Sequence, residues 1–151
     1  MIIRIADSND IKLFMQIRLE MLSEVNALPP GYIFSDEILK CSEEYFTNGD
    51  HTTVLAFNDD NVVIGCATIC YINVMPTFSH PTGKRAHLMN VYTDQAYRRQ
   101  GIALRMMKIL IDEAKEKGVT EISLDATKEG RALYKKLDFT DSDECMVLNL
   151  N

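Results

Sequence analysis

The sequence predicts one α/β domain of the α+β type, spanning residues 1–151. Its sheet is expected to be mixed and mostly antiparallel, with helices on both faces, in the order β-α-α-β-β-β-α-β-α-β. Three observations lead there. Short strand-like runs at 52–58 and 61–72 flank the turn-rich tetrapeptide NDDN, the pattern of a hairpin. A long run with helical period separates two later strand-like segments, the pattern of a crossover between parallel strands. A chain of 151 residues, 46 % of them apolar, can bury a core without disulfides or metals.

The elements follow from local chemistry. MIIRI reads as a first strand, and Asp7 to Asp10 offer N-caps for the helix after it. That helix carries Ile11, Phe14, Met15, Arg18, Met21, Leu22 and Val25 at three- and four-residue spacing, so Arg18 falls on the apolar stripe. Pro29, Pro30 and Gly31 end it, and Ser35 precedes a more polar helix to about Phe46. After the hairpin, Pro76, Pro81 and Gly83 exclude regular structure before the strand KRAHLMNVYT. The next helix starts near Gly101, keeps Ala103, Leu104, Met107, Leu110, Ile111 and Ala114 on one face, and stops at Gly118. TEISLDA is expected as a strand, KEGRALYKKL as a short helix, and ECMVLNL as a closing strand.

Composition excludes several function classes. A net charge of −6 argues against a nucleic-acid partner. MIIRIADSND turns polar too early for a signal peptide, and no apolar run reaches spanning length, so a cytoplasmic protein without a membrane partner is expected. Cys41, Cys66, Cys70 and Cys145 have neither CxxC pairing nor a His at ligand spacing, so no metal is expected. Cys66 and Cys70 read as small core residues on one sheet face. Residues 1–60 hold four Lys/Arg against eleven Asp/Glu, which suggests either a solvated acidic face or a cationic partner.

The chemistry gathers in AYRRQGIALRMM, residues 96–107. Arg98, Arg99 and Gln100 supply donors just before Gly101, where a helix start leaves unpaired N–H groups and a partial positive charge. Gly101 and Ala103 permit close approach to the backbone, so the stretch is either a solvated loop or an anion cradle suited to a pyrophosphate. The chain has no GxxxxGK[ST], and no GxGxxG follows its first strand, which excludes a P-loop and argues against a dinucleotide fold.

Residues 87–139 resemble the GNAT superfamily of acetyl-CoA-dependent N-acetyltransferases. Arg98-Arg99-Gln100-Gly101-Ile102-Ala103 is similar to that family's R/Q-x-x-G-x-G/A loop, LMNVYT to the strand before it, and ALYKKLDF to its A-x-x-Y-x-x-x-G-F element. Gln95 replaces a usual Pro, Asp138 a usual Gly, and an Asn common between the last two motifs is absent from ATKEGR.

The resemblance implies a GNAT-like fold and acetyl-CoA as acyl donor, with the strand of Val91 and Thr93 splayed from that of Ser123 and Asp125. Val91 and Thr93 would contact the pantetheine arm, and the backbone around Arg99, Gln100, Gly101, Ile102 and Ala103, with Arg98 nearby, would hold the pyrophosphate. Tyr134 takes the family's general-acid position, protonating the departing sulfur. The attacking primary amine, on a small molecule or peptide, must lose a proton. His87, a water chain, or carboxylates such as Glu24 and Asp125 are candidate acceptors for it. Cys66 or Cys70 as an acyl carrier is disfavoured because a buried thiol is a poor thiolate, so direct transfer in a ternary complex is expected. A non-catalytic acyl-CoA-binding sensor or scaffold is the alternative, and a homodimer is possible in this family.

Overall fold

The computed structural model describes residues 1–151. In chain order the elements are β1 (Ile2–Ile5), α1 (Ile11–Val25), α2 (Asp36–Asn48), β2 (His51–Phe57), β3 (Val63–Asn73), β4 (Lys84–Thr93), α3 (Ile102–Glu116), β5 (Glu121–Leu124) and α4 (Arg131–Lys135). Single 3-10 turns at 8–10 and 95–97 lead into α1 and α3. Local signals set several ends. The Ser35 side chain accepts the Ile38 N–H at the start of α2, and Asp36 and Glu37 complement the helix dipole there. Gly118, at φ +76°, closes α3: its N–H donates to Lys115 and the Val119 N–H reaches back to Ala114. That pair of bonds satisfies carbonyls the helix leaves open.

The sheet order is β1-β2-β3-β4-β5. The first four strands are antiparallel neighbours, while β5 runs parallel to β4 after the α3 crossover. Alternation along each strand divides the core in two. On one face Val54, Ala56, Ala67, Ile69, Ala86 and Leu88 pack beneath Ile102, Met106, Met107 and Leu110 of α3. On the other, Leu55, Phe57 and Cys66 meet Phe14 and Ile17 of α1 and Phe46 of α2. No helix is long and apolar enough to cross a membrane.

Two expectations need correction. ECMVLNL is not a strand: residues 144–151 are irregular, and Met146, Val147, Leu148 and Leu150 are largely exposed. A strand requires a partner edge, and this segment does not pair with β5, the sheet's outermost strand. The Arg131–Asp141 ion pair, at 2.5 Å, tethers the chain beside α4 just before it. The helix expected over KEGRALYKKL is also shorter, since Thr127 to Gly130 form a turn with Thr127 Oγ1 accepting the Gly130 N–H.

Asp10 anchors the entry to α1. Its buried carboxylate takes two bonds from Arg4, at 2.7 and 2.9 Å, and one from the Asp7 N–H. Hydrogen bonding to Arg4 holds its pKa below the ordinary carboxylate value. A folded-state pKa depressed in this way stabilises the fold above the unfolded value, near 3.9, and the gain is lost as pH falls through the folded value. Asp10→Ala should therefore cost about 1–3 kcal/mol at pH 7 by urea unfolding. The difference from the parent should shrink below about pH 4; a difference independent of pH would refute the assignment.

Candidate functional site

The site begins where the sheet comes apart. β4 and β5 pair from Arg85↔Glu121 to Leu88↔Leu124, and β5 ends there while β4 continues to Thr93. On its other side β4 stays bonded to β3, but with a register shift: Thr68 faces Met89, and Cys66 faces Tyr92. The extra residue sits at Asn90–Val91, and Asn90 takes φ +57°. Such a bulge bends the strand and strengthens its twist, which turns residues 89–93 away from β5. Beyond Leu88, the β4 edge that faced β5 has no strand partner.

The helix that follows opens on the same end of the sheet. Arg99 and Gly101 both adopt left-handed backbone, at φ +65° and +76°. The first helical bond of α3 runs from the Arg105 N–H to the Gly101 carbonyl, so the N–H groups of Ile102, Ala103 and Leu104 lack helical partners. A Cβ added to Gly101 would meet no atom within 4 Å, so its open side faces free space. Arg99 and Gln100 are exposed, whereas the Ile102 side chain is buried in the core and only its backbone is available.

Arg98 is differently placed from its neighbours. Its Nε donates to the Thr93 carbonyl at 2.8 Å, its Nη2 is ion-paired with Glu24 of α1, and the guanidinium lies over the Tyr92 ring. The Tyr92 hydroxyl also donates to Glu24, at 3.0 Å. Hydrogen bonds from Arg98, and then Tyr92, hold the Glu24 pKa down. Glu24 is thus committed to the loop, which removes it as a free proton acceptor, and Arg98 ties α1 to the end of β4.

Tyr134 and His87 lie on opposite faces of the sheet. Tyr134 packs with Val91 against the α3 cluster, and its ring meets Phe139 edge-on at 6.1 Å. Burial alone raises its phenol pKa, which keeps the proton on at neutral pH. His87 alternates with the core residues Ala86 and Leu88, so it faces the α1/α2 side. There its Nδ1 is 2.8 Å from Ser123 Oγ, and its Nε2 is 3.6 Å from an Asp125 oxygen, too far for a hydrogen bond. Met89, two residues on and on that same face, is 43 % exposed. The α1/α2 layer therefore leaves Met89 open to solvent, while α1 reaches the neighbouring Asn90 and Tyr92 through Arg18 and Glu24.

Residues 19–139 match the model of the acetyltransferase (GNAT) family. The chain belongs to the GNAT family. Over 130 residues it is 31 % identical to a probable glucosamine 6-phosphate N-acetyltransferase of rice (Oryza sativa subsp. japonica), covering 85 % of this chain and 76 % of that one. A glucosamine 6-phosphate N-acetyltransferase of Trypanosoma brucei brucei is 22 % identical, covering 98 % and 95 %. Among solved structures, a protein of Clostridium acetobutylicum described as a predicted acetyltransferase with acetyl-CoA superposes with a TM-score of 0.84. It is 34 % identical, over 98 % of this chain and 95 % of that one. As a GNAT protein the chain is an N-acetyltransferase, moving an acetyl group from acetyl-CoA to an amine.

The GNAT framework gathers Val91, Thr93, Gly101, Ile102, Ala103 and Tyr134 at one end of the sheet, and sets His87 across the sheet from them. Two residues escaped the sequence reading of the site. Asn90 is buried and hydrogen-bonds Thr68 Oγ1 and Cys66 Sγ; an Asn, poor in strand propensity, inside LMNVY was its signal. Arg18 reaches Asn90 from α1, and its signal was a charge on an apolar stripe.

Gly31, like Gly101, has φ +76° and nothing within 4 Å of an added Cβ. Gly101→Ala and Gly31→Ala should each lower stability by about 1 kcal/mol through the backbone alone, measured by thermal unfolding. Unchanged melting of both would show that the left-handed backbone is not strained by a side chain.

Proposed function

We propose that this chain transfers the acetyl group to a primary amine of a small molecule or peptide by direct attack in a ternary complex. One observation carries the reading: β4 and β5 part beside the Asn90–Val91 bulge, with Tyr134 on one face of the sheet and His87 on the other. A donor lying in the split could then be attacked from the α1/α2 face and lose its sulfur on the α3/α4 face.

The residues present fit acetyl-CoA. The unpaired β4 edge around Val91 and Thr93 suits an amide-bearing pantetheine arm, bound as an added strand. The free N–H groups from Arg99 to Ala103, with the dipole of α3, suit a pyrophosphate. Arg98, held by Glu24 and the Thr93 carbonyl, would shape that loop and lend charge to it. When bound, acetyl-CoA supplies a thioester whose leaving thiol has an ordinary pKa of about 8.5.

The chain's own groups do the rest. An N–H near Val91 would meet the charge that develops on the acyl oxygen. Tyr134, kept protonated by burial, would donate at the sulfur. His87, with Nδ1 held by Ser123, would take the amine proton directly or through water at Nε2. An acyl-cysteine route is disfavoured, since burial pushes the Cys66 thiol up to about 12 and also raises that of Cys70.

The relatives named above act on glucosamine 6-phosphate by name, so a small amino sugar is the first acceptor class to try. Part of the acidic excess that suggested a cationic acceptor is met within the chain, by Arg98 on Glu24 and the N-terminal amine on Asp59.

Tyr134→Phe should lower kcat roughly a hundredfold with little change in acetyl-CoA affinity. An unchanged kcat would remove the acid role. Gly101→Ala, unlike Gly31→Ala, should also weaken acetyl-CoA binding by roughly tenfold in calorimetry. Double-reciprocal plots should intersect; parallel lines would require a covalent intermediate instead.

A further inference from the structure

We infer that Arg18 is an acceptor-binding residue that takes an oxyanion, phosphate or carboxylate, carried by the amine substrate. This rests on the transferase reading above, and on the α1/α2 face of β4 being the acceptor side.

Arg18 projects from the stripe of α1 that faces the sheet, and is only partly exposed. Its Nε donates to Ser42 Oγ of α2 at 3.3 Å, and its Nη1 to Asn90 Oδ1 at 3.2 Å. Both partners are neutral, and no carboxylate forms an ion pair with it. Burial pushes its pKa down, and the titratable groups that act on it are the thiols of Cys66 and Cys70, which burial keeps protonated. A guanidinium withdrawn from water without a counter-ion is unfavourable unless something supplies the missing charge.

The open part of the guanidinium points to where that charge would come from. A guanidinium has five N–H donors, and the protein takes one at Nε and one at Nη1. Nη2 has no partner. The protein's fully buried unpartnered side-chain atoms are Arg85 Nε and Thr93 Oγ1, so Arg18 Nη2 is not fully buried. Nη1 and Nη2 together form the planar fork that binds phosphate or carboxylate side by side. Through Asn90 this fork sits at the β4 bulge, one residue from Val91 and on the same face as His87 and Met89. Arg98 at the split is already ion-paired with Glu24, and the exposed Arg99 lies in the loop before α3. Arg18 is the arginine held at the Asn90 bulge by neutral partners alone.

The direct test uses non-reactive ligands, so that it stands apart from turnover. With CoA bound, the affinities of glucose, glucose 6-phosphate and glucuronate would be measured by calorimetry for the parent, Arg18→Gln and Arg18→Lys proteins. The parent should bind at least one of the two anionic sugars roughly tenfold to a hundredfold more tightly than glucose. Which of the two binds tighter identifies phosphate or carboxylate. Arg18→Gln should erase the preference, and Arg18→Lys should restore part of it as a point charge. Equal affinities in the parent, or a preference that survives in Arg18→Gln, would overturn the inference. So would an Arg18→Gln protein that loses CoA and all sugars alike, since Arg18 would then merely support the bulge. Acetylation of glucosamine and its 6-phosphate, followed by thiol release, tests the transferase reading separately.

Discussion

The functional end of this protein depends on one break in backbone pairing. β4 is bonded along its length to β3, but its other edge loses β5 after Leu88. The extra residue at Asn90–Val91 makes that separation stable. It stays ordered because Asn90, in an unfavourable left-handed conformation, buries its amide among Thr68, Cys66 and Arg18. Satisfied polar groups in a low-dielectric interior hold a geometry that a polypeptide would not choose locally. The Asn90 strain is offset by contacts from two other elements, α1 and β3.

The consequences spread to both faces. On the α3 side, Val91 and the half-buried Tyr134 both pack against the cluster that carries the start of α3. On the α1/α2 side, α1 reaches the end of β4 through Arg18 at Asn90 and Glu24 at Tyr92, while Met89 stays exposed and His87 partly so. Charge is apportioned in the same way. Arg98 is spent on Glu24 and the Thr93 carbonyl, so it braces the opening, while Arg18 keeps part of its guanidinium free.

Much of the fold was legible because it rests on local periodicity. The stripe of α3, the Ser35 cap, the Gly118 stop and the NDDN turn each need only a few neighbouring residues to act. ECMVLNL shows the limit of that reasoning. Its composition suits a strand, but pairing with a distant edge decides whether a strand forms, and composition cannot supply the edge. The same limit applied to the site. RRQGIA announced a helix start at Gly101 with free N–H groups, yet nothing in those six letters assigned Arg98 to Glu24, 74 positions earlier.

By itself, the sequence determined the element order up to α4, the helix start that leaves N–H groups free, and the family through its spaced motifs. Those features act over a turn or two of chain, where φ preference, capping and apolar spacing suffice. Only the tertiary structure decided where β4 leaves β5, which faces Tyr134 and His87 occupy, and which arginine keeps charge for a ligand. These depend on register and on groups brought together across the sheet. A charge such as Arg18, on an apolar stripe, has meaning only once its partners are known.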